Sequence, residues 1–137
     1  MDVDRFDPGR QLAPFQACQR PFVKTYVLYN GDVGGSSLSK ASLEVSIPNG
    51  HPTGVVFNPT TDFVVSSGGG SGAATFIFAS PTGTVSGWNP GVPPPPISHT
   101  AQVVYSDPSA SYTGIALASI GSSNFLYLAD FHNRKID

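Results

Sequence analysis

From residue 22 onward, glycine, proline and asparagine recur every few residues, and only short apolar runs lie between them. That punctuation constrains the fold more than any other feature. Proline lacks the amide donor a helix interior needs, and glycine there costs about 1 kcal/mol relative to alanine. No stretch keeps an apolar stripe at i, i+3, i+4 and i+7 for the length of a helix. The runs at 23–29, 41–47, 54–57, 62–66, 74–79, 84–88, 101–105, 114–119 and 125–129 alternate or fill with Val, Ile, Phe, Tyr and Thr. This is strand chemistry. Between them, Asn30-Gly31-Asp32, Pro48-Asn49-Gly50, Asn58-Pro59-Thr60, Ser80-Pro81-Thr82-Gly83 and Asn89-Pro90-Gly91 supply left-handed positions or a fixed φ, the needs of hairpin turns. The expected class is all-β, as a sandwich, a barrel or a propeller.

An internal echo favours the propeller. Thr53-Gly54-Val55-Val56-Phe57, followed by Asp62-Phe63-Val64-Val65-Ser66, is matched by Thr113-Gly114-Ile115-Ala116-Leu117, followed by Asn124-Phe125-Leu126-Tyr127-Leu128. The first strands are 60 positions apart. A propeller blade takes roughly 40 to 50 residues, and the proline-rich insertion at 92–96 accounts for the excess. A small four-stranded sheet cannot cover both its faces, so it must lean on copies of itself.

Charge and cysteine usage exclude several functions. Charged residues are only 12% of the chain, and from 41 to 129 the formal charges are Glu44, Asp62 and Asp107 alone. With no Lys or Arg there to meet phosphates, nucleic-acid binding is not expected. Cys18 is the single cysteine, which excludes an internal disulfide and a cysteine-paired zinc site. Residues 1–10 carry Asp2, Asp4 and Asp7 and have no apolar core of a signal peptide, and no apolar run has the length of a membrane span. Residues 1–21 lack strand or helix periodicity and are read as a poorly ordered or adventitious segment. Residues 22–137 form the patterned domain.

Tyr112-Thr113-Gly114-Ile115-Ala116, then Phe125-Leu126-Tyr127-Leu128-Ala129-Asp130, then His132-Asn133-Arg134-Lys135-Ile136 resemble an NHL repeat. Tyr112-Thr113 replaces the usual proline start, and Lys135 separates Arg134 from Ile136. A wider set comprises Leu28-Tyr29-Asn30-Gly31, Pro52-Thr53-Gly54-Val55-Val56-Phe57-Asn58, Phe76-Ile77-Phe78-Ala79 and Gly83-Thr84-Val85-Ser86-Gly87-Trp88-Asn89-Pro90. Over roughly residues 25–137 this set is similar to a family of uncharacterised, mostly exported β-propeller proteins related to NHL-repeat and gluconolactonase-like propellers. The match starts and stops in mid-blade. The resemblance therefore implies a partial β-propeller of about two blades of antiparallel four-stranded sheets: the end of one blade, one whole blade and the start of the next. Such a ring is not closed, which implies self-association through open blade faces.

The chemistry-bearing residues are few. His51 and His132 lie near strand ends that can face a propeller mouth, whereas His99 has no such placement; none has the spacing of a metal-ligating pair. Asp130 follows an inner strand. By resemblance it is either a ligand to the divalent metal that gluconolactonase-like propellers hold on their axis or a brace for its own turn. Trp88 precedes Asn89-Pro90-Gly91 and can stack on a sugar or cover the gap between blades. Gly68-Gly69-Gly70-Ser71-Gly72 lacks the Lys-Ser/Thr of a phosphate loop and reads as a hairpin connection, and Pro93 to Pro96 as a stiff spacer. No serine sits in a G-x-S-x-G elbow, so no catalytic residue is assigned. The candidate ligand-binding residues are His51, Trp88, Asp130 and His132. The expected function is a non-catalytic binding or scaffold module for a small molecule or a protein. The alternative is a metal-dependent lactonase or hydrolase whose central-channel site this chain holds only in part.

Overall fold

The computed structural model describes residues 15–18, 25–30, 40–49 and 51–137. They hold twelve strands and no helix: β1 (Phe15–Cys18), β2 (Thr25–Asn30), β3 (Lys40–Ser46), β4 (Gly54–Phe57), β5 (Val64–Ser67), β6 (Gly70–Ala73), β7 (Phe76–Ser80), β8 (Thr84–Trp88), β9 (Gln102–Ser106), β10 (Tyr112–Ile120), β11 (Ser123–Asp130) and β12 (Lys135–Ile136). The fold is all-β and every ladder is antiparallel. Among the described residues no helix is long and apolar enough to cross a membrane.

The strands form four sheets. β1-β2-β3 and β10-β11-β12 flank a central sheet of order β4-β7-β8-β9, and β5-β6 is a separate hairpin. β1 lies within the stretch read as unpatterned; residues 1–14 and 19–24 lie outside the described residues. The sequence pattern placed 62–66 beside 54–57, but β4 pairs with β7 instead, Val55 opposite Phe78 and Val56 opposite Ile77. The reason is local. Gly68 and Gly69, both at positive φ, close a two-residue turn that folds β5 onto β6 before it can reach β4.

This pairing shifts the internal repeat onto different strands. Gly54 faces Ala79, Val55 faces Phe78 and Val56 faces Ile77; Gly114 faces Ala129, Ile115 faces Leu128 and Ala116 faces Tyr127. The first strand thus recurs at an offset of 60 and the second at 50, the difference arising from the hairpin β5-β6 inserted between β4 and β7. A threonine bond repeats with it. Thr53 Oγ1 lies 3.3 Å from Ala79 O, and Thr113 Oγ1 lies 3.4 Å from Ala129 O.

The middle strands of the central sheet, β7 and β8, are covered on both faces, because they alternate apolar side chains to each side. Phe78 and Trp88, with Val55 and Phe76 against them, pack with Val45 and Ile47 from β3 and the residue after it. On the other side Ile77, Ala79 and Val85 pack with Tyr112 and Leu128, with Ile115 and Leu126 adjoining. Two backbone bonds anchor the first flank: Ser46 N donates to His99 O (2.8 Å) and Ala101 N to Ser46 O (2.9 Å). On the second flank Thr53 Oγ1 donates to Tyr112 O (2.5 Å), and Gly54 allows a close approach, since a Cβ there would lie 2.9 Å from Ile115 Cγ2.

Candidate functional site

The four residues singled out in the sequence occupy unlike environments. Trp88 is buried, its indole stacked on Phe76 at 6.1 Å between centroids, and its Nε1 donates to Ser98 O at 2.9 Å. Its ring faces are taken up by the packing between β3 and the central sheet. His51 and His132 are both exposed, His51 in left-handed backbone with φ 54°. His99 is also exposed, its Nδ1 3.0 Å from Glu44 O. Among the described residues no group of three or more His, Cys, Asp or Glu side chains is placed to hold a metal ion.

Asp130 is buried and ties one turn to another loop. Its Oδ1 accepts from Ser111 N (3.0 Å) and Asn133 N (3.2 Å), and its Oδ2 from Asn133 Nδ2 (2.5 Å). Asn133 Nδ2 also donates to Ser109 O at 3.0 Å. Burial pushes the carboxyl of Asp130 up, but the bonds from Ser111 and Asn133 outweigh it and hold the group below the ordinary 3.8. A depressed pKa means the folded state favours the carboxylate. That contribution is fully present above the ordinary value and is lost as pH falls through the lower, folded value. Thermal midpoints measured from about pH 5 down to about pH 2 should therefore fall more steeply in the native protein than in Asp130→Asn. Parallel curves would show that these bonds do not favour the ionised form. Burial, and then the neighbouring Tyr105, push the phenol of Tyr112 up to about 12, so it stays protonated at neutral pH.

The structure instead forms a cleft of about 140 Å³ beneath the β5-β6 hairpin. Phe63, Val65, Ala74, Ile77 and Leu126 line it, Gly87 forms its floor, and the half-exposed Val64 and Val104 sit at its edge. Its wall is almost wholly apolar. Gly87 is what lets the hairpin settle so close, because a Cβ there would lie 2.7 Å from Val65 Cγ1 and 2.9 Å from Ala74 Cβ. Asparagine side chains pin the hairpin at its end. Asn58 Nδ2 donates to Ala74 O (2.9 Å) and Asp62 O (3.0 Å), and Asn89 Nδ2 to Ala73 O (2.6 Å).

Phe63, at the cleft, has φ 58°, a left-handed conformation that is costly for a bulky side chain. It is held there by the bond from Ala74 N to Phe63 O at 3.0 Å. Backbone conformations of this kind persist only where the surroundings over-determine them, and they cluster at ligand sites. The cleft escapes a reading of the sequence, because its residues come from β5, β7, β8, β9 and β11 and from the positions just before β5 and just after β6. The single local signal is a glycine inside a strand, at 87, which marks a close approach. No family model, no curated protein and no solved structure matches the chain.

Proposed function

We propose that the protein is a non-catalytic binding module built from consecutive β-propeller blades, and that it takes a small apolar group into the cleft beneath the β5-β6 hairpin. The observation that carries this reading is the cleft itself. Its lining has van der Waals surface to offer and no acid, base or nucleophile, so it is suited to holding a ligand and not to transforming one. An apolar cavity of about 150 Å³ stays dry and admits benzene or xenon. At about 140 Å³ this one suits a ligand group of one aromatic ring or a short branched alkyl chain.

Support for the blade reading comes from the repeated register, offset by 60 and 50, and from the central sheet having a neighbour on each face. β4, β7, β8 and β9 correspond to the four strands of one blade, with β5-β6 as an insertion near the cleft. Benzene titrated into the protein should raise its melting temperature and shift methyl resonances of Val65, Ile77 and Leu126 before others. Leu126→Phe fills the cleft from β11, and its benzene response should be abolished while its circular dichroism is unchanged. A native protein indifferent to benzene, or a variant with the same response, would refute the reading.

A further inference from the structure

One carboxylate stands beside the cleft without a cation. Asp62 lies between β4 and β5 and immediately precedes Phe63, which lines the cleft. The residue is exposed, and its Oδ2 accepts from Asn124 Nδ2 at 2.7 Å. Asn124 comes two residues before Leu126 on β11, so strand alternation sends both side chains toward the central sheet, about 7 Å apart along the strand. The carboxylate is thereby held next to the Leu126 wall of the cleft while it keeps its own contact with water.

Bonds from both flanks keep that carboxylate in place. Asn58 Nδ2 donates to Asp62 O (3.0 Å) and Asp62 N donates to Thr60 Oγ1 (3.2 Å), which fixes the backbone on either side of the side chain. Ser119 Oγ donates to Asn124 Oδ1, so the amide is turned with its Nδ2 toward Asp62. Asn124 is neutral and satisfies one oxygen only. Among the described residues Oδ1 of Asp62 receives no donor and Asp62 makes no ion pair. No Lys or Arg occurs from residue 41 to 129, so the strands around the cleft supply no cation of their own. An apolar cleft with a half-satisfied carboxylate beside it complements a ligand that joins an apolar group to a cation.

We propose that the cleft selects primary ammonium ligands: an aromatic ring or short branched alkyl chain enters beside Phe63 and Leu126, while the ammonium, on a short arm, donates to Asp62 Oδ1. This deepens the cleft reading above and rests on it. An ammonium has donors and no acceptor, which suits an open carboxylate oxygen, whereas a ligand carboxylate or phosphate would face Asp62 with like charge. The same apolar group carrying a hydroxyl forms a hydrogen bond there, but not a charge-assisted one. Because Asp62 is exposed, water screens the pair, and the selectivity is several-fold.

Titrations with phenethylammonium, its neutral isostere phenethyl alcohol and the anion hydrocinnamate test it, each followed at the methyl resonances of Val65, Ile77 and Leu126. The ammonium should bind roughly fivefold tighter than the alcohol, the scale of one exposed ion pair, and the anion should bind weakest. That ratio should fall to about one in Asp62→Asn, and in the native protein at 1 M salt, where the screening length is about 3 Å. Asp107→Asn removes another exposed carboxylate, one bonded to Ser109 in the 107–110 loop, and should keep the native ratio. Equal affinities for ammonium and alcohol, a preference that survives Asp62→Asn, or one lost equally in Asp107→Asn would overturn the proposal. Benzene added to the same samples separates it from the cleft reading. If benzene shifts Val65 and Ile77 but the ammonium gains nothing over the alcohol, the cleft stands and the selectivity falls. If neither benzene nor any of the three probes shifts them, the cleft reading falls and takes the proposal with it.

Discussion

Replacing Gly83 with alanine is expected to cost roughly 4 kcal/mol, near the top of the range for a single substitution. Gly83 lies in the turn between β7 and β8 at φ 70°, where its N donates to Ser80 O at 3.1 Å. The left-handed backbone alone disfavours an L side chain by roughly 1–2 kcal/mol. Steric conflict adds more. A Cβ there would lie 1.8 Å from Asp107 O and 2.9 Å from Ala110 O, both backbone atoms that cannot rotate away. Relief requires the 107–110 loop to move, and that breaks the bond from Asp107 N to Gly83 O at 2.8 Å. Chemical denaturation of Gly83→Ala should therefore show a large drop in midpoint with little change in slope. A loss under about 1 kcal/mol would mean that the loop does not close over this turn.

Trp88→Ala is the second large effect, expected at about 3–5 kcal/mol. The ring is 4% exposed, stacks on Phe76, and supplies the donor that satisfies the carbonyl of the buried Ser98. Truncation leaves both a cavity between β3 and the central sheet and an acceptor without its donor. Trp88→Phe keeps much of the volume and loses the donor, so it should cost about 1–3 kcal/mol. Trp88 is the chain's single tryptophan, so native fluorescence reports on it directly. The emission should be blue-shifted and resist an aqueous quencher, and an alanine cost near zero with quencher-accessible emission would contradict its burial.

Strand positions are legible in the sequence because turn residues bracket them: 54–57 and 84–88 coincide with β4 and β8, and the other predicted runs overlap their strands to within about two residues. Pairing is not. Glycines at 68–72 have no side chains whose alternation could reveal β6, so the run looks like a loop alone, and β5 takes in the sequence pattern the place beside β4 that β7 holds in the fold. The insertion also misaligns the second half of the repeat, which Val55–Phe78 and Ile115–Leu128 restore. For the site, residue chemistry draws attention to His51, Trp88, Asp130 and His132, the side chains that carry polar groups or a large ring. The cleft is made of ordinary apolar residues. Nothing in Phe63, Val65, Ala74, Ile77 or Leu126 taken singly distinguishes the wall of a cleft from core; only the way the hairpin leans over Gly87 does.

The stacked-sheet architecture depends on β4 lying against β7 within its own sheet and against β10 of the next. Nuclear Overhauser contacts between aliphatic protons test both at once. The expected spectrum has a strong cross-peak from the Ile115 γ-methyl to the Gly54 α-protons, together with cross-strand peaks joining Val56 to Ile77. Peaks joining Val56 to Val65, with none from Ile115 to Gly54, would instead put β5 beside β4, undo the repeated register, and remove the basis for the stacked sheets.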